Sequence, residues 1–336
     1  MSLVLLAGTT LAMGTAAVSP DGDALAGGPS CSTTAALKLA APSKAGDIDT
    51  STTTACFTFG ASAGDVVRVN VRATSTGFNP FTDIFSPEGI SVCAGSGDLS
   101  CALDATGTWT AQVSSADSST GTFDIYAQRL DDPIGCKSAE LGAKPLTGKI
   151  RLPGEEACFT FNGTIGDVIF AHTVTTSPVG GETPQLTLNA PDGSLVCTEN
   201  LGDLVCSLDE TGDQTIFAFA SGTTTMTFHF YVQDLTTPVG CTKMTVGGST
   251  VKGKISSVGA VACFGFAGTS GDSVDVDTTV KKGNLSPLLN LFSPQGASVC
   301  EGIQEVSCTL TATGDWTVIV DDSTGEDTGK FVISVS

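Results

Sequence analysis

Gly60-Ala61-Ser62-Ala63-Gly64 fits the G-x-S-x-G pattern, in which a sharp turn presents a serine nucleophile to a histidine and an acid. That chemistry needs a strand before the serine, a helix after it and both partners within reach. Here the pattern falls between two strand-like segments. Its counterparts further along, Asn162–Gly166 and Ala267–Gly271, carry Thr164 and Thr269 where the serine would be. The two histidines of the chain, His172 and His229, are remote from Ser62 in sequence. The pentapeptide reads as a turn, and no catalytic residue is expected.

Three further groups could do chemistry. Asp321, Asp322, Glu326 and Asp327 could offer oxygen ligands to Ca²⁺. The equivalent loops around Asp117 and Ser221 lack that set, and no EF-hand or Gly-Asp nonapeptide occurs. No cofactor is expected, with calcium as the sole candidate ion. Trp109 and Trp316 could stack on sugar rings. Alternation, however, sets Trp109 on the face of Ala111 and Val113, and Trp316 with Val318 and Val320, which favours the core or its rim. His172 takes the outward position held by Asn70 and Asp277 elsewhere, and His229 aligns with Asp124 and Val332, so both are expected at the surface. Asn162-Gly-Thr164 and Asn284-Leu-Ser286 are glycosylation sequons.

The twelve cysteines expose the organisation. They fall in three quartets: Cys31, Cys56, Cys93 and Cys101; Cys136, Cys158, Cys197 and Cys206; Cys241, Cys263, Cys300 and Cys308. Even sets of this kind in an exported chain read as structural disulfides. The lack of C-x-x-C pairs and the scarcity of histidine argue against a zinc site. Four cysteines allow three pairings; first-to-second and third-to-fourth are favoured, because Cys93 and Cys101 flank a short loop and Cys31 would clip the incoming chain to the Cys56 strand.

Other landmarks keep the same register. Cys56-Phe57-Thr58-Phe59 returns as Cys158-Phe159-Thr160-Phe161 and as Cys263-Phe264-Gly265-Phe266. Ser86-Pro87-Glu88-Gly89 returns as Ala190-Pro191-Asp192-Gly193 and as Ser293-Pro294-Gln295-Gly296, each predicting a type I turn that ends in a left-handed glycine. Val67, Val69 and Val71 alternate with Arg68, Asn70 and Arg72, as in a strand with one apolar face. The expectation is an all-β chain of three tandem antiparallel β-sandwich modules, jelly-roll- or Ig-like in size, each with two disulfides. The modules span 27–135, 136–240 and 241–336, behind a signal peptide at 1–26 that ends in Ala24-Leu25-Ala26. No basic residue precedes the apolar run Leu3–Met13, which fits a leader whose true start lies further upstream. The joints Leu130–Cys136 and Leu235–Cys241 are short and contain proline, so a stiff rod is expected, about 100 Å long if the modules extend along their strands.

The net charge of −20 is spread over all three repeats. It repels phosphate backbones and anionic lipid, so nucleic acid is not an expected partner. No apolar stretch of the mature chain is long enough to span a membrane.

The module resembles the bacterial pre-peptidase C-terminal domain, a small β-sandwich appended to many secreted peptidases and surface proteins. The resemblance rests on Phe57, Phe59, Gly64, Asp65, Val67 and Val69, then Pro87 and Gly89, then Gly107 and Trp109, then Gly121, Phe123 and Ile125, and it covers all three repeats. The Gly-Cys joints look like tandem repeats of secreted actinobacterial proteins. The chain departs from the family in having four cysteines per repeat and no attached peptidase. The resemblance implies an extracellular accessory module. The expected function is a secreted, non-catalytic structural or surface-interaction protein, a stalk or adhesin-like array. Its partner would be a cell surface, a cell wall, another protein or a second copy of itself. The alternatives are a carbohydrate- or cell-wall-binding array, or the non-catalytic part of a larger secreted enzyme.

Overall fold

The computed structural model describes residues 28–199 and 202–336; the leader expected at 1–26 lies outside them. The first module has nine strands: β1 (Thr33–Ala36), β2 (Lys44–Ile48), β3 (Ala55–Ala61), β4 (Val66–Ala73), β5 (Pro80–Phe85), β6 (Ser91–Gly95), β7 (Asp98–Ala102), β8 (Gly107–Ser115) and β9 (Gly121–Arg129). They form a five-stranded sheet, β1-β3-β8-β5-β6, facing a four-stranded sheet, β2-β9-β4-β7. Both later modules repeat this order strand for strand. The short β1 runs parallel to β3, as its counterparts do, and all other pairings are antiparallel. No described residue is helical, so among the described residues no helix is long and apolar enough to cross a membrane.

Each sandwich has its own core. Val67, Val69 and Val71 of β4 meet Phe57, Phe59, Trp109 and Ala111 of the facing sheet. Equivalent cores form around Phe159 and Phe228 in the second module and around Phe264 and Trp316 in the third. The turn glycines Gly89, Gly193 and Gly296 all have φ near +80° (80°, 84° and 77°), as the S-P-x-G reading requires. Disulfides join Cys31 to Cys56, Cys136 to Cys158 and Cys241 to Cys263, clipping each incoming segment to the strand it pairs with. The remaining three, Cys93–Cys101, Cys197–Cys206 and Cys300–Cys308, do more than close a hairpin. Cys93 lies on β6 and Cys101 on β7, which edge opposite sheets, so the bond ties the two layers together at one edge.

A second device recurs on the other edge. Gly46, Gly148 and Gly253 sit directly across from Phe123, Phe228 and Phe331 on the neighbouring strand. In each case the phenyl ring lies over the glycine, where a Cβ would come within 2.1–2.4 Å of the ring. The ring fills the space a side chain would take. Gly253→Ala should therefore destabilise the third module by about 1–3 kcal/mol, since the fully buried Phe331 has no room to withdraw. Gly60→Ala, where a Cβ meets nothing within 4 Å, is the control. Equal urea midpoints for the two variants would refute this account.

The modules do not extend end to end as a rod along their strands. They stack face to face. The four-stranded sheet of one module lies on the five-stranded sheet of the next, so β4 is buried on both sides: Arg68 and Asn70, on its outward face, are 6% and 0% exposed. The strand Gly212–Phe219 of the second module is likewise buried from Gln214 onward. By contrast β8, at one end of the stack, and Ser273–Gly283, at the other, show the alternating burial of a sheet with one wet face. Six sheets in series at roughly 10 Å spacing put about 50 Å between the outermost layers. The joints are pinned as well. Gln128 Nε2 donates to the Ile134 carbonyl at 3.0 Å, and Gln233 Nε2 repeats this with Val239 at 2.8 Å.

Candidate functional site

The structure separates the residues that sequence patterns group together. Ser62 is exposed in the turn between β3 and β4, where its N–H donates to Asp65 Oδ2 at 2.8 Å. No helix follows it. Both histidines lie on the far sheet of the second module, so no nucleophile elbow is assembled around Ser62. Trp109 and Trp316 are 0% exposed. Their indole N–H groups donate to the carbonyls of Ala105 and Ala312 at 3.1 and 3.2 Å. Neither ring can face a sugar in this fold. The second module has Gln214 in their place, also 0% exposed, and its amide makes the same bond to Glu210 at 2.9 Å.

The acidic set proposed for calcium is divided. Asp321 and Asp322 are consecutive in a strand, so their side chains leave opposite faces. Asp322 accepts from the backbone N–H groups of Ser286, Glu326 and Asp327 and from the Thr324 hydroxyl, which orders the loop and holds its carboxyl below the ordinary range despite partial burial. Glu326 is exposed and Asp327 half-buried in that loop. Asp321 points the other way, into the junction with the second module. Asn162 and Asn284 of the sequons are exposed.

The chemically distinctive places are the two junctions. At the first, the Arg68 guanidinium is buried against the second module: Nη1 is 3.2 Å from Glu156 Oε1, with side-chain exposures of 7% and 1%. Nη2 lies 3.3 Å from Thr187 Oγ1 and 3.5 Å from Asn189 Oδ1. The guanidinium carbon is 5.1 and 5.9 Å from the ring centroids of Phe217 and Phe219, a cation–π arrangement. Burial raises the Glu156 carboxyl above its ordinary range, and Arg68 opposes that shift. At the second junction the positions of Arg68 and Glu156 are apolar, Phe170 and Val261. Phe170 stands where Arg68 stood, packing with Tyr231 and Leu235 against Phe292 and Ile319; the Phe170 and Phe292 centroids are 5.9 Å apart.

Beside this apolar patch lies the cluster that sequence reasoning missed. His172 is outward-facing as expected but only 6% exposed, because the third module covers it. Its Nδ1 is 2.6 Å from Asp203 Oδ1 and 3.8 Å from Asp321 Oδ2. Burial disfavours the imidazolium, yet the hydrogen bond to Asp203 and the charges of both aspartates outweigh it and raise the pKa. Burial pushes Asp321 up to about 7, with His172 opposing the shift. His229 is also drawn into the junction, its Nδ1 at 2.5 Å from the Val258 carbonyl oxygen. The surface placement expected for both histidines is thus corrected: an outward position in one sandwich is an interior position in the stack.

Neither a family model nor a curated protein matches the chain. Solved structures align with it at low similarity. The Aeromonas hydrophila periplasmic g-type lysozyme inhibitor PliG is 18% identical, over 29% of this chain and 98% of its own, with a TM-score of 0.22. Tripeptidyl peptidase 2 is 9% identical over 85% of this chain, which spans 34% of the peptidase, with a TM-score of 0.22. The mycobacterial arabinofuranosyltransferase AftD is 11% identical over 86% of this chain and 34% of its own, with a TM-score of 0.16. Likenesses at these scores carry no functional argument.

Three signals in the sequence mark the junctions. Ile216-Phe217-Ala218-Phe219 and Val318-Ile319-Val320 are continuous apolar runs, where the first repeat has the alternating Trp109-Thr110-Ala111-Gln112-Val113. Val168-Ile169-Phe170-Ala171 is similarly continuous beside the alternating Ser273-Val274-Asp275-Val276. Continuous apolar runs belong to strands buried on both faces.

Proposed function

We propose that this chain is a secreted, non-catalytic structural or surface-interaction protein, a stalk or adhesin-like array in which three sandwiches act as one rigid block. The observation that supports this best is the pair of buried junctions: a buried ion pair with cation–π contacts at one, a phenylalanine-rich patch at the other. Both hold the modules in fixed relation. Six disulfides are consistent with an extracellular protein, and the resemblance to the pre-peptidase C-terminal domain points the same way.

The test pairs two assays on the purified chain. Co-sedimentation with cell walls and insoluble polysaccharides, with and without calcium, should show saturable surface binding that survives substitution of Ser62. A panel of ester, peptide and glycoside substrates should show no turnover. Hydrolysis abolished by a single substitution would overturn the reading in favour of an enzyme. Absence of binding to every surface would remove the surface-interaction part and leave the structural one.

A further inference from the structure

We propose that His172, Asp203 and Asp321 form a binding site for a divalent transition-metal cation of the zinc class, which clasps the second module to the third. The cysteine pattern argued against zinc, but this cluster uses no cysteine, and its members are far apart in sequence.

The backbone places it firmly. His172 and Asp203 are directly paired across neighbouring strands, and Asp321 comes from the central strand Gly314–Asp322 of the sheet stacked on them. One nitrogen and two carboxylate oxygens lie within 4.8 Å of one another. Tetrahedral coordination with bonds of about 2.1 Å separates ligand atoms by about 3.4 Å, so the 2.6 and 3.8 Å spacings from Nδ1 bracket what an ion needs.

The independent sign is an unmet demand. Asp321 is 3% exposed, and its Oδ1 has no hydrogen-bond partner; its Oδ2 lies 3.8 Å from His172 Nδ1. Imidazole Nδ1 can carry one proton, and at 2.6 Å that proton belongs to Asp203. A buried carboxylate left without a donor costs free energy. A cation at the centre would satisfy all three groups at once. The nitrogen ligand selects for zinc-like ions over calcium, which prefers oxygen alone. Asp203 has a side chain 43% exposed and stands at the rim, which gives the ion and its remaining water ligands a way in.

The experiment is calorimetric titration of the metal-stripped full chain with Zn²⁺, and separately with Ca²⁺, repeated on Asp321→Asn and Asp203→Asn. The expected result is one Zn²⁺ site per chain, weakened at least about 100-fold in each variant, since loss of a ligand should exceed the 10–100-fold effect of losing an outer-shell partner. Zn²⁺ should also raise the melting temperature of the wild type but of neither variant. Asp203→Asn alters a rim residue, so its fold is readily verified by circular dichroism even if Asp321→Asn disturbs the junction. No Zn²⁺ binding, equal binding in a folded Asp203→Asn chain, or tighter Ca²⁺ than Zn²⁺ binding would each overturn the proposal.

Discussion

Arg68→Ala is expected to destabilise the chain by about 3–5 kcal/mol, the usual consequence of removing one member of a buried ion pair. The guanidinium is enclosed by Glu156, Thr187, Asn189 and two phenyl rings, and the Glu156 side chain is only 1% exposed. Without it, the carboxyl must stay charged in a dry layer or take up a proton at neutral pH. Both cost free energy. The damage should also be local: the first module should melt separately, while the second and third, joined through Phe170, Phe292 and Ile319, stay coupled. Pairing Arg68→Phe with Glu156→Val should restore most of the loss, because the second junction uses Phe170 and Val261 at the same positions. Urea unfolding followed by hydrogen exchange per module separates these outcomes. A midpoint shift within the roughly 0.5 kcal/mol of an ordinary surface substitution would mean that Arg68 is solvated and the junction open.

The two solutions to one junction explain why the stack has an order. An arginine facing Val261, or Phe170 facing Glu156, would leave a buried charge unpaired, so the modules cannot be exchanged without penalty. The outer faces follow the same logic. Where Arg68 and Phe170 stand in the first two modules, the third has the exposed Asp275, with Asp277 and Thr279 beside it. The first module, where the second has Thr187, Phe217 and Phe219, has Asp83, Gln112 and Ser114. A second copy docking in the same geometry would set Asp275 against Asp83, as Arg68 meets Thr187, and like charges there disfavour extension of the stack.

Most of the architecture was legible because disulfides, turns and strand alternation are local. Cys56, Gly89 and the Val67–Val71 alternation each state a local requirement that the backbone meets. The junctions are not legible from alternation, which speaks only for one sandwich, where Arg68 and His172 count as outward and therefore wet. That inference fails when the outward face is covered by another module. The runs through Phe217 and Ile319 carried the correction, since a strand with one wet face has no reason to be apolar at every position. The His172 cluster could not have been read from spacing, because Asp321 reaches it only through the stacking of two modules.

Trp109→Ala and Trp316→Ala are each expected to cost about 3–5 kcal/mol, the range for removing a large buried aromatic side chain. A domain of this size is typically held by about 5–15 kcal/mol, so either variant should leave its module close to unfolding. The cost comes mainly from the cavity, because the lost indole bond to Ala105 or Ala312 is worth about 1 kcal/mol. Trp109→Gln separates the two terms: as Gln214 does in the second module, it can keep the bond to the carbonyl four residues back while still leaving a void. It should therefore fall between wild type and alanine in thermal melts. This bears directly on any carbohydrate-binding reading. A tryptophan variant that no longer sediments with polysaccharide would report an unfolded module, unless its melting temperature were shown to be unchanged. If Trp109→Ala melted like the wild type and yet abolished binding, the ring would have to lie at the surface in solution, and the buried placement described above would be wrong.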